Sequence, residues 1–147
     1  MYSSGIQDYR RTSVITADPK RLVLMCYEGA IDNLKIGRQK IIEKDYEAKS
    51  KAFVKTQDII NELLCSLDFE KGGSIAKNLD SLYNYMLRRI IHADVNRDMG
   101  AIEEVIGMLN ELKTAWEEVF YNKDPEIEPD LAEFNEEMRQ AAGYVSV

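Results

Sequence analysis

The sequence predicts an all-α protein: an antiparallel four-helix bundle with an extended N-terminal arm and a short fifth helix at the C-terminus. Three observations carry this. Apolar residues recur at steps of three and four through four successive segments, the spacing of one helix face. Only eight Gly and three Pro occur in 147 residues, so the elements are long. No segment shows the period-two alternation of a half-buried strand. A chain of this length builds one domain around one core. Its 45% hydrophobic and 31% charged residues suit a folded chain rather than a disordered one.

Residues 1–17 have no helical period, yet Ile6, Tyr9, Val14 and Ile15 are apolar among polar neighbours. They read as an extended arm that docks on the body; a frayed terminus is the alternative. Asp18-Pro19 opens the first helix. Aspartate accepts orphan backbone N–H groups, and proline at the first helical position has no N–H to leave unpaired. The run Leu22 to Tyr27, then Ala30, Ile31, Leu34 and Ile36, gives this helix neighbours on several sides. Gly29 lowers helix propensity by about 1 kcal/mol, and close packing against another helix is the expected compensation. Lys44-Asp45 marks the first turn.

The second helix is expected from about Asp45 to Leu67. Its stripe is Ala52, Ile59, Ile60, Leu63, Leu64 and Leu67, with Phe53 and Val54 to one side. Gly72-Gly73 is read as the break before the third helix, which carries Ile75, Leu79, Leu82, Met86 and Ile90. Asn96-Arg97-Asp98 forms the next turn, with Asp98 as cap. The fourth helix carries Ile102, Val105, Leu109, Leu112, Trp116 and Val119. That pattern is close to a heptad seam and fits antiparallel packing near +20°. Two prolines between Asn122 and Asp130 end it. Leu131, Phe134, Met138 and Ala141 then suggest the fifth helix. The expected organisation is a bundle with its arm over residues 1–121 and an acidic linker and helix over 122–147.

Net charge is −7, and its placement is informative. Asp124 to Glu137 holds seven acids and no base, which leaves 19 acids against 19 bases in the rest. Neither part has the basic footprint that nucleic acid or an anionic membrane surface requires. No apolar run approaches the roughly 20 residues that span a bilayer. Met1 to Arg11 lacks the apolar core of a secretory signal, so the expected address is the cytoplasm. Cys26 and Cys65 are too few for a disulfide framework and read as small buried hydrophobes.

Nothing in the pattern asks for an enzyme, a metal or a cofactor. A bundle di-iron site needs Glu-x-x-His motifs, but the only histidine is His92 and position 89 is Arg. His92 fits better near the end of the third helix, where positive charge suits the dipole. Lys71-Gly72-Gly73 lacks the spacing of a phosphate loop. Apolar excess remains. Eight tyrosines are many, and Tyr83 and Tyr85 flank the third stripe; Met25, Met86, Met99 and Met108 add adaptable surface. These residues either widen the core or form a partner-binding face.

Thr16 to Pro19 followed by Leu22 to Ile31 resembles the start of the FliS family of flagellar export chaperones. The resemblance continues through Leu67 to Leu79 and Leu82 to Arg89, and ends at Ile102 to Val105 with Ala115-Trp116. It covers residues 1–121 and leaves 124–147 without a family reading. It implies a non-enzymatic cytosolic chaperone that binds the disordered C-terminal region of flagellin. Such a chaperone prevents early polymerisation and aids delivery to the flagellar export apparatus. The client becomes helical as it wraps the bundle, and the N-terminal arm covers part of that surface until the client arrives. Gly5-Ile6 and Tyr9 match the arm's apolar positions. Ile6, Tyr9, Tyr27, Ile31, Tyr83, Tyr85 and Met86 are the candidate contacts. The competing reading is a structural or adaptor bundle that self-associates weakly through the same faces, without a flagellin client.

Overall fold

The computed structural model describes residues 18–121, 136–138, 140 and 141. Four long helices follow in chain order: α1 (Pro19–Ile42), α2 (Tyr46–Cys65), α3 (Phe69–Asn96) and α4 (Met99–Tyr121). The described residues contain no strand. Each helix packs on its neighbours in sequence, and α4 closes the ring against α1. The short connections force an up-down-up-down order, so the expected four-helix bundle is the observed one. Residues 136–138, 140 and 141 are helical. The expected arm, with Ile6 and Tyr9, and the start of the expected fifth helix, with Leu131 and Phe134, lie outside the described residues.

Local chemistry sets the helix ends. The carboxylate of Asp18 accepts from Arg21 N–H at 2.8 Å, that of Asp45 from Ala48 at 3.2 Å, and that of Asp68 from Lys71 at 2.9 Å. Asp98 accepts from Ala101 N–H at 3.1 Å at the start of α4. Each is an N-cap bond, and in Asp98 it holds the carboxyl below its ordinary pKa. The third helix therefore begins at Phe69, capped by Asp68, and not after Gly72-Gly73. Gly73 instead bends α3 within its second turn, at φ 50° and ψ −125°, a conformation that side chains disfavour. Arg97 ends α3 with φ 54° and lays its guanidinium 3.6 Å from the centre of the Tyr46 ring.

The core follows seams, with corrections to the expected ones. On α3 the buried line is Ala76, Leu79, Tyr83, Met86, Ile90 and Ala93. Tyr83 is 2% exposed and Leu82 is 37% exposed, the reverse of the expected order. The Tyr83 hydroxyl can enter the core because it bonds the hydroxyl of Tyr27 across the bundle. Trp116 Nε1–H donates to the same Tyr27 oxygen at 2.9 Å. Three helices thus meet in one buried polar cluster inside an apolar core. Phe53 lies in the centre, while Val54 points outward.

Two features of α2 were not foreseen. Lys49 is buried, with its ammonium 2.8 Å from Asp94 Oδ1 and donating to the Asp94 carbonyl at 2.7 Å. A buried charge is tolerated only when paired in this way. Cys65, the last residue of α2, is exposed, and Cys26 is half-buried, so neither is a fully buried hydrophobe. The close packing expected at Gly29 occurs about two turns further along α1, at Gly37, against the same neighbouring helix. A Cβ there would lie 2.7 Å from Phe53 Cδ1, whereas one at Gly29 would meet only Ile59 Cδ1 at 3.4 Å.

Candidate partner-binding surface

Exposed large apolar side chains occur on all four helices, and three of them, Val54, Ile91 and Val95, gather toward the α2–α3 seam. Asp94 of α3 bonds Lys49 and also accepts from Ser50 Oγ at 3.0 Å. Val54 stands one turn after Ser50 on α2 and is 49% exposed. Ile91 and Val95, one turn apart on α3, are 51% and 75% exposed. Residues four apart share a helix face, so Val54, Ile91 and Val95 border one seam, with half-buried Leu87 extending it. Scattered apolar residues are normal on a surface, but a run along one groove is the form that receives an amphipathic helix.

The other flank of α3 is polar. Tyr85 donates its hydroxyl to both Glu104 oxygens at 2.9 Å, and Arg89 Nε donates to Glu104 Oε1 at 2.8 Å. Arg89, then Tyr85, holds the Glu104 carboxyl below the ordinary carboxylate range, and the bond to Glu104 raises the Tyr85 hydroxyl. A carboxyl with a lowered pKa contributes above its unfolded value and stops contributing as pH falls through the folded one. This clamp ties α3 to α4 at the surface at neutral pH. Arg38 pairs with Glu103 and links α1 to α4. His92 lies 3.1 Å from Asp98 Oδ2 near the end of α3.

The sequence-predicted contacts divide three ways. Tyr85 is half-buried beside its clamp. Tyr27, Ile31, Tyr83 and Met86 are buried in the free chain, and all four belong to the core cluster. Their size and heptad spacing place them inside. Ile6 and Tyr9 lie outside the described residues. Sequence reading missed Ile91 and Val95. Ile91 falls about 100° and Val95 about 140° round the helix from Ile90, and that offset was the available signal.

The sequence profile described as flagellar protein FliS matches residues 2–123. The chain belongs to the FliS family. The flagellar secretion chaperone FliS of Salmonella typhimurium is 42% identical over 125 residues, spanning 81% of this chain and 93% of that one. The chaperone of the same name from Vibrio cholerae is 35% identical, spanning 78% and 88%, and that of Bacillus subtilis 31%, spanning 78% and 85%. The FliS match contains α1 to α4 and stops before residues 136–141. Among the described residues no helix is long and apolar enough to cross a membrane, and no three His, Cys, Asp or Glu side chains gather as a metal site.

Proposed function

We propose that this chain is a cytosolic flagellin chaperone. It binds the C-terminal region of newly made flagellin, keeps it from polymerising early and aids its delivery to the flagellar export apparatus. FliS membership is the observation that carries this reading, because the family's curated relatives are named flagellar secretion chaperones. The Val54, Ile91 and Val95 seam supports it physically. A disordered segment can bury apolar side chains there and gain helix as it binds, offsetting its ordering entropy. Tyr85 is a client contact on the opposite, α4-facing flank of α3, while Tyr27, Ile31, Tyr83 and Met86 fix the helices between the two flanks. Ile6 and Tyr9 belong to the arm that covers part of that surface. The client, not a nucleic acid, metal or cofactor, is the partner. The same exposed seam also favours self-association, which is the second reading.

The arm gives a test. A covered site binds with an apparent affinity lowered by the fraction of time it is uncovered. The double variant Ile6→Ala, Tyr9→Ala weakens the cover. It is expected to bind a flagellin C-terminal peptide at least as tightly as the wild type in calorimetric titration. Loss of binding with helix content unchanged would make the arm a client contact instead of a cover.

A further inference from the structure

The C-terminal residues 136–141 occupy a site on α3. Asp68, Gly72 and Ala76 stand one turn apart along one side of that helix. Ala141 lies against them: its carbonyl accepts from Asp68 N–H at 2.9 Å. A Cβ added at Gly72 would sit 2.6 Å from Ala141 Cβ and 2.9 Å from Ala76 Cβ, so only glycine lets the two backbones approach. Met138 and Ala141 are both buried and join the core cluster. The occupant is thus a helix seated on small residues, with one backbone hydrogen bond.

Two facts argue that this occupant is exchangeable. The family match ends at residue 123, so the matched bundle does not include it. Its described residues, 136–138, 140 and 141, span less than two helical turns, and a piece of that size holds helical form only while docked. Apolar surface also adjoins the site at Phe69, the residue after Asp68, which is exposed. A chaperone whose client becomes helical on binding needs such corners.

We propose that residues 136–141 are a built-in competitor: they fill the Asp68–Gly72–Ala76 corner in the free chain and leave when a helical segment of the client takes it. The inference rests on the chaperone reading. It adds a second covered region, supplied by a segment outside the family match. Tethered to the bundle, the segment lowers apparent client affinity by the fraction of time it is seated.

The test uses the full-length chain and a peptide of the C-terminal region of the flagellin encoded in the same genome. Ala141→Glu cannot seat, because its Cβ already abuts Gly72, yet it leaves the α3 corner intact. Met138→Ser serves as a second unseating variant if the first fails to fold. Either is expected to bind the peptide about three- to tenfold more tightly than the wild type. In wild-type protein with labelled methionine methyl groups, saturating peptide should move the Met138 methyl resonance from its buried position to a solvent-exposed one. Equal or weaker binding by the folded variants, or a Met138 resonance unmoved at saturation, overturns the proposal. Failure of every form to bind the peptide overturns the chaperone reading, and this inference with it.

Discussion

Trp116→Ala lowers the unfolding free energy by about 3–5 kcal/mol, the range for removing a fully buried large aromatic. The indole is 1% exposed and stacks on Phe120 with centroids 5.2 Å apart. Its N–H donates to Tyr27, which bonds Tyr83 in turn. Alanine therefore opens a cavity where α1, α3 and α4 meet and removes a donor from a buried hydroxyl. Trp116→Phe separates the two contributions. It fills much of the space, and the lost hydrogen bond alone is worth about 1 kcal/mol. Urea unfolding reads both variants, with an unchanged slope confirming that only stability moved. A loss below about 1 kcal/mol for the alanine variant would place the indole at the surface.

Gly37→Ala lowers stability by about 1–3 kcal/mol, although alanine is the better helix former by about 1 kcal/mol. The added methyl would fall on the Phe53 ring, itself fully buried and unable to withdraw without moving α2 from α1. Gly29→Ala is the matched control. Its methyl meets only the end of Ile59 at ordinary contact distance, so the propensity gain of about 1 kcal/mol is kept. The expected order of thermal midpoints is Gly29→Ala, wild type, Gly37→Ala. A Gly37→Ala protein as stable as the wild type would contradict the close α1–α2 contact.

These two residues also show what the sequence could disclose. Trp116 was legible because its helix repeats apolar residues at heptad spacing, a one-dimensional signal of burial. Gly37 was not, since nothing local distinguishes it from Gly29; what differs is the Phe53 ring on the next helix. Tyr83 was misplaced for a related reason. Hydropathy prefers Leu82 for the core, and only a partner hydroxyl on α1 makes a buried tyrosine acceptable. The Lys49–Asp94 pair joins residues 45 apart, beyond any periodicity. The start of α3 was shifted because Gly72-Gly73 is a strong break signal, while the Asp68 cap before it is a single residue. The helices and their order needed only pattern and loop length. The α2–α3 seam needed the rotation of each helix about its axis, which is fixed by packing.

The central claim is that this FliS bundle holds a client chain on its apolar faces. Sedimentation of the full-length protein, alone and with an equimolar flagellin C-terminal peptide, tests it most directly. The account predicts that the peptide sediments with the protein at one per protomer. A peptide left in the slow fraction, beside a homo-oligomer that grows with concentration and ignores the peptide, would contradict it.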